Sequence, residues 1–272
     1  MRLLIFGLGY TAARVAALVR ARGGHVVATG RAGTIAFDDE AAVAHAVATA
    51  THILSSAPPA DDVDPVLARY GHLISEQRLA YLSSTGVYGD VDGAWVDESA
   101  AIRGRRGARN AADAAWLARS ARVFRLPGIY GPGRSPLDRV ASGSGHRVAL
   151  PEQVFSRTHV DDIAAGVLAG LDAPAGAYNL ADDLPCAQDD VMLFAARLLG
   201  LPPPPVVRLD SLTPQARAFY AENRRVANGR AKRVLGWRLR YPTYRFGLLA
   251  LSAITSPPSA STAPAPASAD QR

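Results

Sequence analysis

MRLLIFGLGYTAARVAALVRARGGHVVATG, residues Met1–Gly30, holds a short turn, Gly7-Leu8-Gly9-Tyr10-Thr11-Ala12, on which the fold hinges. Before the turn, RLLIFGL is an apolar run of strand length. After it, TAARVAALVRARGG carries apolar residues at helical spacing and closes on glycines, and HVVATG reads as a second strand. Strand, tight turn, helix and strand make one unit of a parallel sheet, because parallel neighbours need a crossover between them.

The alternation continues downstream. TIAF reads as a short third strand, DDEAAVAHAVATA as a helix with acidic residues at its start, and THILSSAPP as a fourth strand. DPVLARYGHLI is helical, RLAYLSS a fifth strand, NAADAAWLARSA a further helix, and RVFRLPGIYG contains a sixth strand. Such a series predicts an α/β fold, a Rossmann-type doubly wound parallel sheet, with a small C-terminal substrate lobe. The expected boundaries are 1–130 for the dinucleotide-binding body, with 155–180 returning to the sheet, and 131–154 plus 181–252 for the lobe. Residues 253–272, rich in Ala, Pro and Ser, are expected to be a disordered tail.

The first turn fits G-x-G-x-x-A between a strand and a helix, the context that gives the pattern its meaning. Gly7 allows the tight turn, Gly9 lets a pyrophosphate approach the backbone, and Ala12 permits close helix packing. Tyr10 and Thr11, inside the same turn, and Ala57, just past the fourth strand, are grouped with them as cofactor residues. At the end of the second strand, where a carboxylate would accept the ribose hydroxyls of NAD, the sequence is Thr29-Gly30-Arg31. Arg31 suits a 2′-phosphate, so NADP(H) is favoured while NAD(H) stays open.

Bulk properties narrow the remaining classes. The chain has 272 residues with 49% hydrophobic content, enough to bury a full core. One cysteine, Cys186, excludes an internal disulfide framework, and the six histidines show no paired spacing on one helix, so no metal site is expected. The net charge of +6 comes almost wholly from scattered arginines, since Lys232 is the one lysine, and no aromatic stacking platform accompanies them. Nucleic acid is therefore not expected as a partner. No apolar stretch is long enough for a membrane span, and the expected location is the cytoplasm.

From the fifth strand onward the chain resembles the extended short-chain dehydrogenases/reductases, the NAD-dependent epimerase/dehydratase family. LSSTGVYGD, FRLPGIYGPGR, RTHVDDIAAGVL, YNLADDLPCAQDDVMLFAARLLGL and LGWRLRYPTYRFGLLAL follow one another in the family's order, so the resemblance runs from Met1 to about Leu251. It implies that Ser84 binds and polarises the substrate's reacting oxygen. It further implies that Pro127, Gly128 and Ile129 lie against the nicotinamide, and that Tyr130 through Arg134 open the substrate lobe. Asp161 and Asp162 read as a helix cap rather than as catalytic acids. A homodimer, formed through the Ala-rich face of 110–121, is also an implication of the resemblance.

The family's Tyr-x-x-x-Lys pair is missing. Carrying the spacing forward from Val87-Tyr88-Gly89-Asp90 places Arg105 where the tyrosine stands and Arg109 where the lysine stands. A guanidinium stays protonated and shuttles protons poorly, but it can grip a ribose hydroxyl or an anion. Arg109 is thus expected to hold the cofactor ribose. Arg105 and Arg106 read equally well as anion contacts or as solvated loop residues. Tyr88 or Tyr130, or a water held by Ser84, would have to supply the acid. Two functions remain: an NAD(P)-dependent oxidoreductase or epimerase/dehydratase-like enzyme acting on a small polar or nucleotide-linked substrate, or a non-catalytic NADP(H)-binding redox sensor.

Overall fold

The computed structural model describes residues 1–60, 63–150 and 152–255. In the first half, β1 (Arg2–Phe6), α1 (Tyr10–Ala21), β2 (His25–Ala28), α2 (Glu40–Thr49), β3 (His52–Ser55), α3 (Pro65–Tyr70) and β4 (Arg78–Ser84) follow in order. Next come β5 (Trp95–Val96), α4 (Gly107–Ala118), β6 (Arg122–Leu126), β7 (Gly128–Tyr130) and α5 (Pro136–Ala141). The remainder is β8 (Arg157–His159), α6 (Val160–Gly170), β9 (Gly176–Asn179), α7 (Gln188–Leu199), α8 (Pro214–Phe219), β10 (Arg225–Val226), α9 (Gly229–Leu235) and α10 (Tyr244–Thr255).

Six parallel strands form the main sheet in the order β2-β1-β3-β4-β6-β9. Successive side chains of a strand point to opposite faces, and β1 shows the result. Leu3 and Ile5 join the core beneath α1 and α6, with Val15, Ala16, Ile163 and Val167. Leu4 and Phe6 join the opposite core beneath α2, α3 and α4, with Val43, Tyr70, Tyr81 and Trp116. Both faces are covered, as a parallel sheet requires. A separate cluster of Leu137, Val140, Met192, Tyr244 and Leu248 joins α5, α7 and α10 into a smaller C-terminal lobe. Among the described residues no helix is long and apolar enough to cross a membrane.

Several expectations need correction. TIAF is not a strand: Ile35 makes one parallel bridge to Thr29, and Thr34 and Ile35 both donate their amides to the Ala28 carbonyl. The turn from Gly30 to Gly33 is too short to hold the crossover that a full parallel partner of β2 would need. The sixth strand splits at Pro127, which has no amide to donate to a ladder; β6 stays in the main sheet and β7 pairs with β8 outside it. Helix α3 stops at Tyr70, short of Ile74, and α4 starts at Gly107, three residues before Asn110. The last helix runs to Thr255, into the expected tail, whose remainder lies outside the described residues.

At the C-terminal edge of the sheet, one buried polar network ties six segments together. Arg125, in β6, is 2% exposed and Asp113, in α4, is fully buried. Arg125 donates Nη2 to Asp113 Oδ1 at 2.8 Å and Nε to Oδ2 at 3.2 Å, and the Ser83 hydroxyl of β4 donates to the same carboxylate at 2.6 Å. Nη1 of Arg125 reaches the Tyr88 hydroxyl at 3.0 Å, which in turn donates to Asn179 Oδ1 of β9 at 2.7 Å. Asn179 closes the network by donating its amide to Glu98 at 2.8 Å. Breaking a buried pair leaves an uncompensated charge, at a cost of about 3–5 kcal/mol. Asp113→Asn should therefore lower the unfolding free energy by about that amount in urea titration, and Arg125→Met combined with Asp113→Leu should recover much of it. An Asp113→Asn protein as stable as the parent would refute the assignment.

Candidate functional site

A cleft of about 1100 Å³ runs along the C-terminal edge of the sheet, between the body and the C-terminal lobe. The turn after β1 forms one end. Gly7 has φ +87°, and a β-carbon there would press within 3.2 Å of Ser56 Oγ and the Ala57 amide, so only glycine fits comfortably. Its amide donates to Thr29 Oγ1 at 3.1 Å, and its carbonyl accepts from the Ser56 hydroxyl. Gly9 is different: nothing lies within 4 Å of where its β-carbon would be. It also caps α1 without a side-chain acceptor, so the first amides of that helix face open space in the cleft. An open helix N-terminus beside an empty glycine surface suits a phosphate, and the residues present fit a dinucleotide.

Other expected residues meet in the same cleft. Tyr10, Thr11, Ala12, Ser84, Pro127, Gly128, Ile129 and Tyr130 all line it. Tyr10 also donates its hydroxyl to the Pro132 carbonyl at 3.1 Å, and the Arg134 guanidinium sits 5.9 Å from its ring, so the loop after β7 folds over the start of α1. Arg31 stands exposed at the end of β2 and has no ion-pair partner among the described residues. Ala57 contributes through its backbone at the Gly7 turn.

Three site assignments are corrected. Tyr88 does not reach the cleft: it is 1% exposed, held between Arg125 and Asn179, and burial pushes its hydroxyl up to about 12. Tyr130 lines the cleft but buries its hydroxyl against Gly247, without a hydrogen-bond partner among the described residues, and burial raises its pKa strongly. Neither phenol is placed to give up a proton to a ligand. Arg109 turns away too, donating to the Tyr81 hydroxyl at 2.5 Å with its guanidinium 5.8 Å from that ring. Arg109 is not among the residues that line the cleft. The cap of α6 is also reassigned: His159 accepts the Asp161 amide through Nδ1, while Asp161 pairs with Arg14 and Asp162 accepts the amides of Arg240 and Tyr241.

The cleft also holds residues that sequence reasoning missed or left open. Arg105 crosses it, donating Nε to Glu222 at 2.9 Å and Nη2 to the Ala218 carbonyl at 2.6 Å at the end of α8. Glu222 accepts from Arg224 as well, at 2.8 Å. Burial works to raise the Glu222 carboxyl, but the bonds and charges of Arg224 and Arg105 outweigh it and hold the group below the usual carboxylate range. AENRR carries no periodicity that would have set Glu222 and Arg224 in a site; a carboxylate two residues before an arginine in a loop was the only signal.

Beneath the floor, Asp182 is 1% exposed and burial pushes its carboxyl up to about 7, with Arg157 opposing the shift. Oδ1 accepts the Leu184 amide at 3.2 Å, and Oδ2 has no partner among the described residues. Since the folded-state value lies above the unfolded one, near 3.9, the folded state binds the extra proton and loses stability as pH rises from about 4 to about 7. Asp182→Asn imitates the protonated form and keeps the bond to Leu184. The variant should show a smaller fall in melting temperature between pH 5 and pH 8 than the parent; an unchanged fall would refute this.

No protein-family model matches the chain. A conserved protein of unknown function from Silicibacter pomeroyi has a solved structure that superimposes with a TM-score of 0.82 at 41% identity, covering 93% of this chain and 98% of that one. A curated Streptomyces protein, a 3-diazoavenalumate denitrifying reductase, is 32% identical over 141 residues, 46% of this chain and 45% of its own. The chain spans about half the length of the curated relatives it matches. The human epimerase family protein SDR39U1, solved with NADPH, has a TM-score of 0.73 at 18% identity, covering 93% of this chain and 99% of that one. The chain thus belongs to one family with the Silicibacter pomeroyi protein, and its fold is that of the extended short-chain dehydrogenases/reductases, the NAD-dependent epimerase/dehydratase proteins.

Proposed function

We propose that this protein is an NAD(P)-dependent oxidoreductase of the epimerase/dehydratase type, prefers NADP(H), and acts on a small polar or nucleotide-linked substrate. The observation that carries the reading is the Gly7–Gly9 turn, whose open glycine surface and uncapped helix N-terminus face the same cleft as Ser84 and Pro127–Ile129. Gly9 leaves room for a pyrophosphate, and Pro127, Gly128 and Ile129 form the wall against which a nicotinamide ring would rest. A bound nicotinamide dinucleotide would supply or accept hydride there. Ser84, at the end of β4, would hold the reacting oxygen. Arg31, exposed and without an ion-pair partner among the described residues, is the side chain suited to a 2′-phosphate. The solved structure of human SDR39U1 contains NADPH, whereas that of a Bacillus anthracis dTDP-glucose 4,6-dehydratase with the same fold contains NAD.

The withdrawn hydroxyls of Tyr88 and Tyr130 favour a second reading, a non-catalytic NADP(H) sensor. A lost general acid costs about 10²–10⁴-fold in rate for reactions that need one. Not every hydride transfer does. The Streptomyces relative is named as a denitrifying reductase of a diazo compound. Replacement of a diazonium group by hydride releases dinitrogen and consumes no proton, so a reductase can act without a tyrosine acid. The large cleft beyond the turn supports an enzyme over a sensor, which has less need of a substrate lobe.

Fluorescence titration with NADPH and NADH tests the cofactor reading. NADPH should bind at least about tenfold more tightly, the worth of one charge-assisted contact. Arg31→Asp should remove that difference, and Gly9→Val should abolish binding of both. Equal affinity for NADH would overturn the preference, and absence of binding by the parent would overturn the whole reading. Turnover of reducible aldehydes, ketones or sugar nucleotides, lost in Ser84→Ala, separates the enzyme from the sensor.

A further inference from the structure

Two guanidinium groups and a hydroxyl converge on Gly86, one turn past the end of β4. A β-carbon at Gly86 would lie 3.1 Å from Arg106 Nη2, 3.2 Å from Ser84 Oγ and 3.8 Å from Arg224 Nη2. Arg106, Ser84 and Arg224 all line the cleft. Arg224 commits Nη1 to the Gly89 carbonyl and to Glu222, each at 2.8 Å, which leaves Nη2 turned toward Gly86. The Arg106 side chain has no hydrogen-bond or ion-pair partner among the described residues. The Ser84 oxygen accepts the Gly86 amide at 3.1 Å, and its proton remains free to be donated.

The local charge is unbalanced. Arg105, Arg106 and Arg224 share a single carboxylate, Glu222, which bridges Arg105 and Arg224. Like charges facing one point repel, and an anion set between them relieves the repulsion while collecting charge-assisted bonds. A side chain at position 86 would press on the Arg106 guanidinium and the Ser84 hydroxyl, so glycine there lets both close over the turn. In the same cleft, Phe155 and Phe219 stack at 4.4 Å, offering an apolar face to the rest of a ligand.

We propose that Arg106 and Arg224 form an anion site over Gly86, beside Ser84, that takes the carboxylate or phosphate group of a small substrate with an apolar body, while the Ser84 hydroxyl is kept for the reacting oxygen. This deepens the enzyme reading above and rests on it for the ligand's being a substrate. Guanidinium groups in this position anchor and polarise, and leave proton transfer to water. The site selects against neutral substrates, because an unfilled guanidinium pair stays unpaired.

Isothermal titration of the full chain, with and without saturating NADPH, tests the site with three probes at constant ionic strength: benzoate, inorganic phosphate and neutral benzamide. Benzoate or phosphate should bind in the presence of NADPH and benzamide should not; whichever anion binds more tightly identifies the head group. Arg106→Gln should weaken anion binding at least about tenfold, the loss of one charge-assisted contact. Arg106→Lys should recover part of it, and Arg208→Gln, at a surface pair with Asp210, should have no effect. Equal anion affinity in Arg106→Gln, equal affinity for benzamide, or anion binding that disappears when NADPH is added would each overturn the proposal. NADPH fluorescence in the same samples distinguishes the failures: intact NADPH binding without anion binding overturns the anion site alone, whereas absence of NADPH binding overturns the cofactor reading.

Discussion

The Arg125–Asp113 pair fixes the edge of the sheet on which everything functional is built. A parallel sheet presents the C-terminal ends of its strands as a row of loops, and those loops need an anchor beneath them. Here a guanidinium inside β6 reaches sideways to a carboxylate from α4, and that carboxylate also accepts the Ser83 hydroxyl. Ser83 and Ser84 are adjacent and point to opposite faces. Locking Ser83 inward therefore sets Ser84 outward, toward the cleft. The same guanidinium fastens Tyr88, which closes the short turn that carries Gly86. One buried charge pair thus determines where the hydroxyl and the glycine surface of the site stand.

That anchoring has a chemical consequence. In holding the turn, Tyr88 commits its hydroxyl to Arg125 and Asn179, and burial raises its pKa, so the phenol nearest the β4 edge serves structure. Tyr130 is consumed in the other way, by packing: its ring meets His159 at 5.3 Å and its hydroxyl lies beneath α10. The cleft is left with hydroxyl, guanidinium and carboxylate groups. Of these, the guanidinium groups cannot lose a proton near neutrality. Electrostatic anchoring is therefore the resource that the site has in excess.

Local patterns in the sequence were legible where one segment suffices to set a geometry. Gly7 and Gly9 dictate their turn through φ and the absence of a β-carbon, and Gly9 lines the cleft. Five strands of the main sheet, β1, β2, β3, β4 and β6, were legible as mainly apolar runs, whereas β9, the short Gly176–Asn179, carries no such run and was not read as a strand. TIAF misled because it has strand composition without the intervening residues that a crossover requires. RVFRLPGIYG misled in the opposite sense, since its proline was a visible break within an otherwise good strand. Arg125 was the signal left unread: a charge in the middle of a buried strand demands a buried partner, and Asp113 stood nearby on α4, the helix that precedes that strand.

Side-chain direction across elements was not legible, and it decides the site. Arg105, Arg106 and Arg109 lie within one short stretch, yet they face three different neighbourhoods: Glu222 across the cleft, the Gly86 surface, and Tyr81 on the far side of β4. The boundary between the last two is the start of α4 at Gly107. Arg106 precedes the helix with a non-helical backbone, whereas Arg109 lies in its first turn, and the change of backbone state rotates successive side chains to different faces. Spacing alone equated Arg109 with a lysine that grips a ribose. The helix start moves that duty away from Arg109 and leaves Arg106, at the mouth of the cleft without a counter-charge, as the arginine placed to meet an anion.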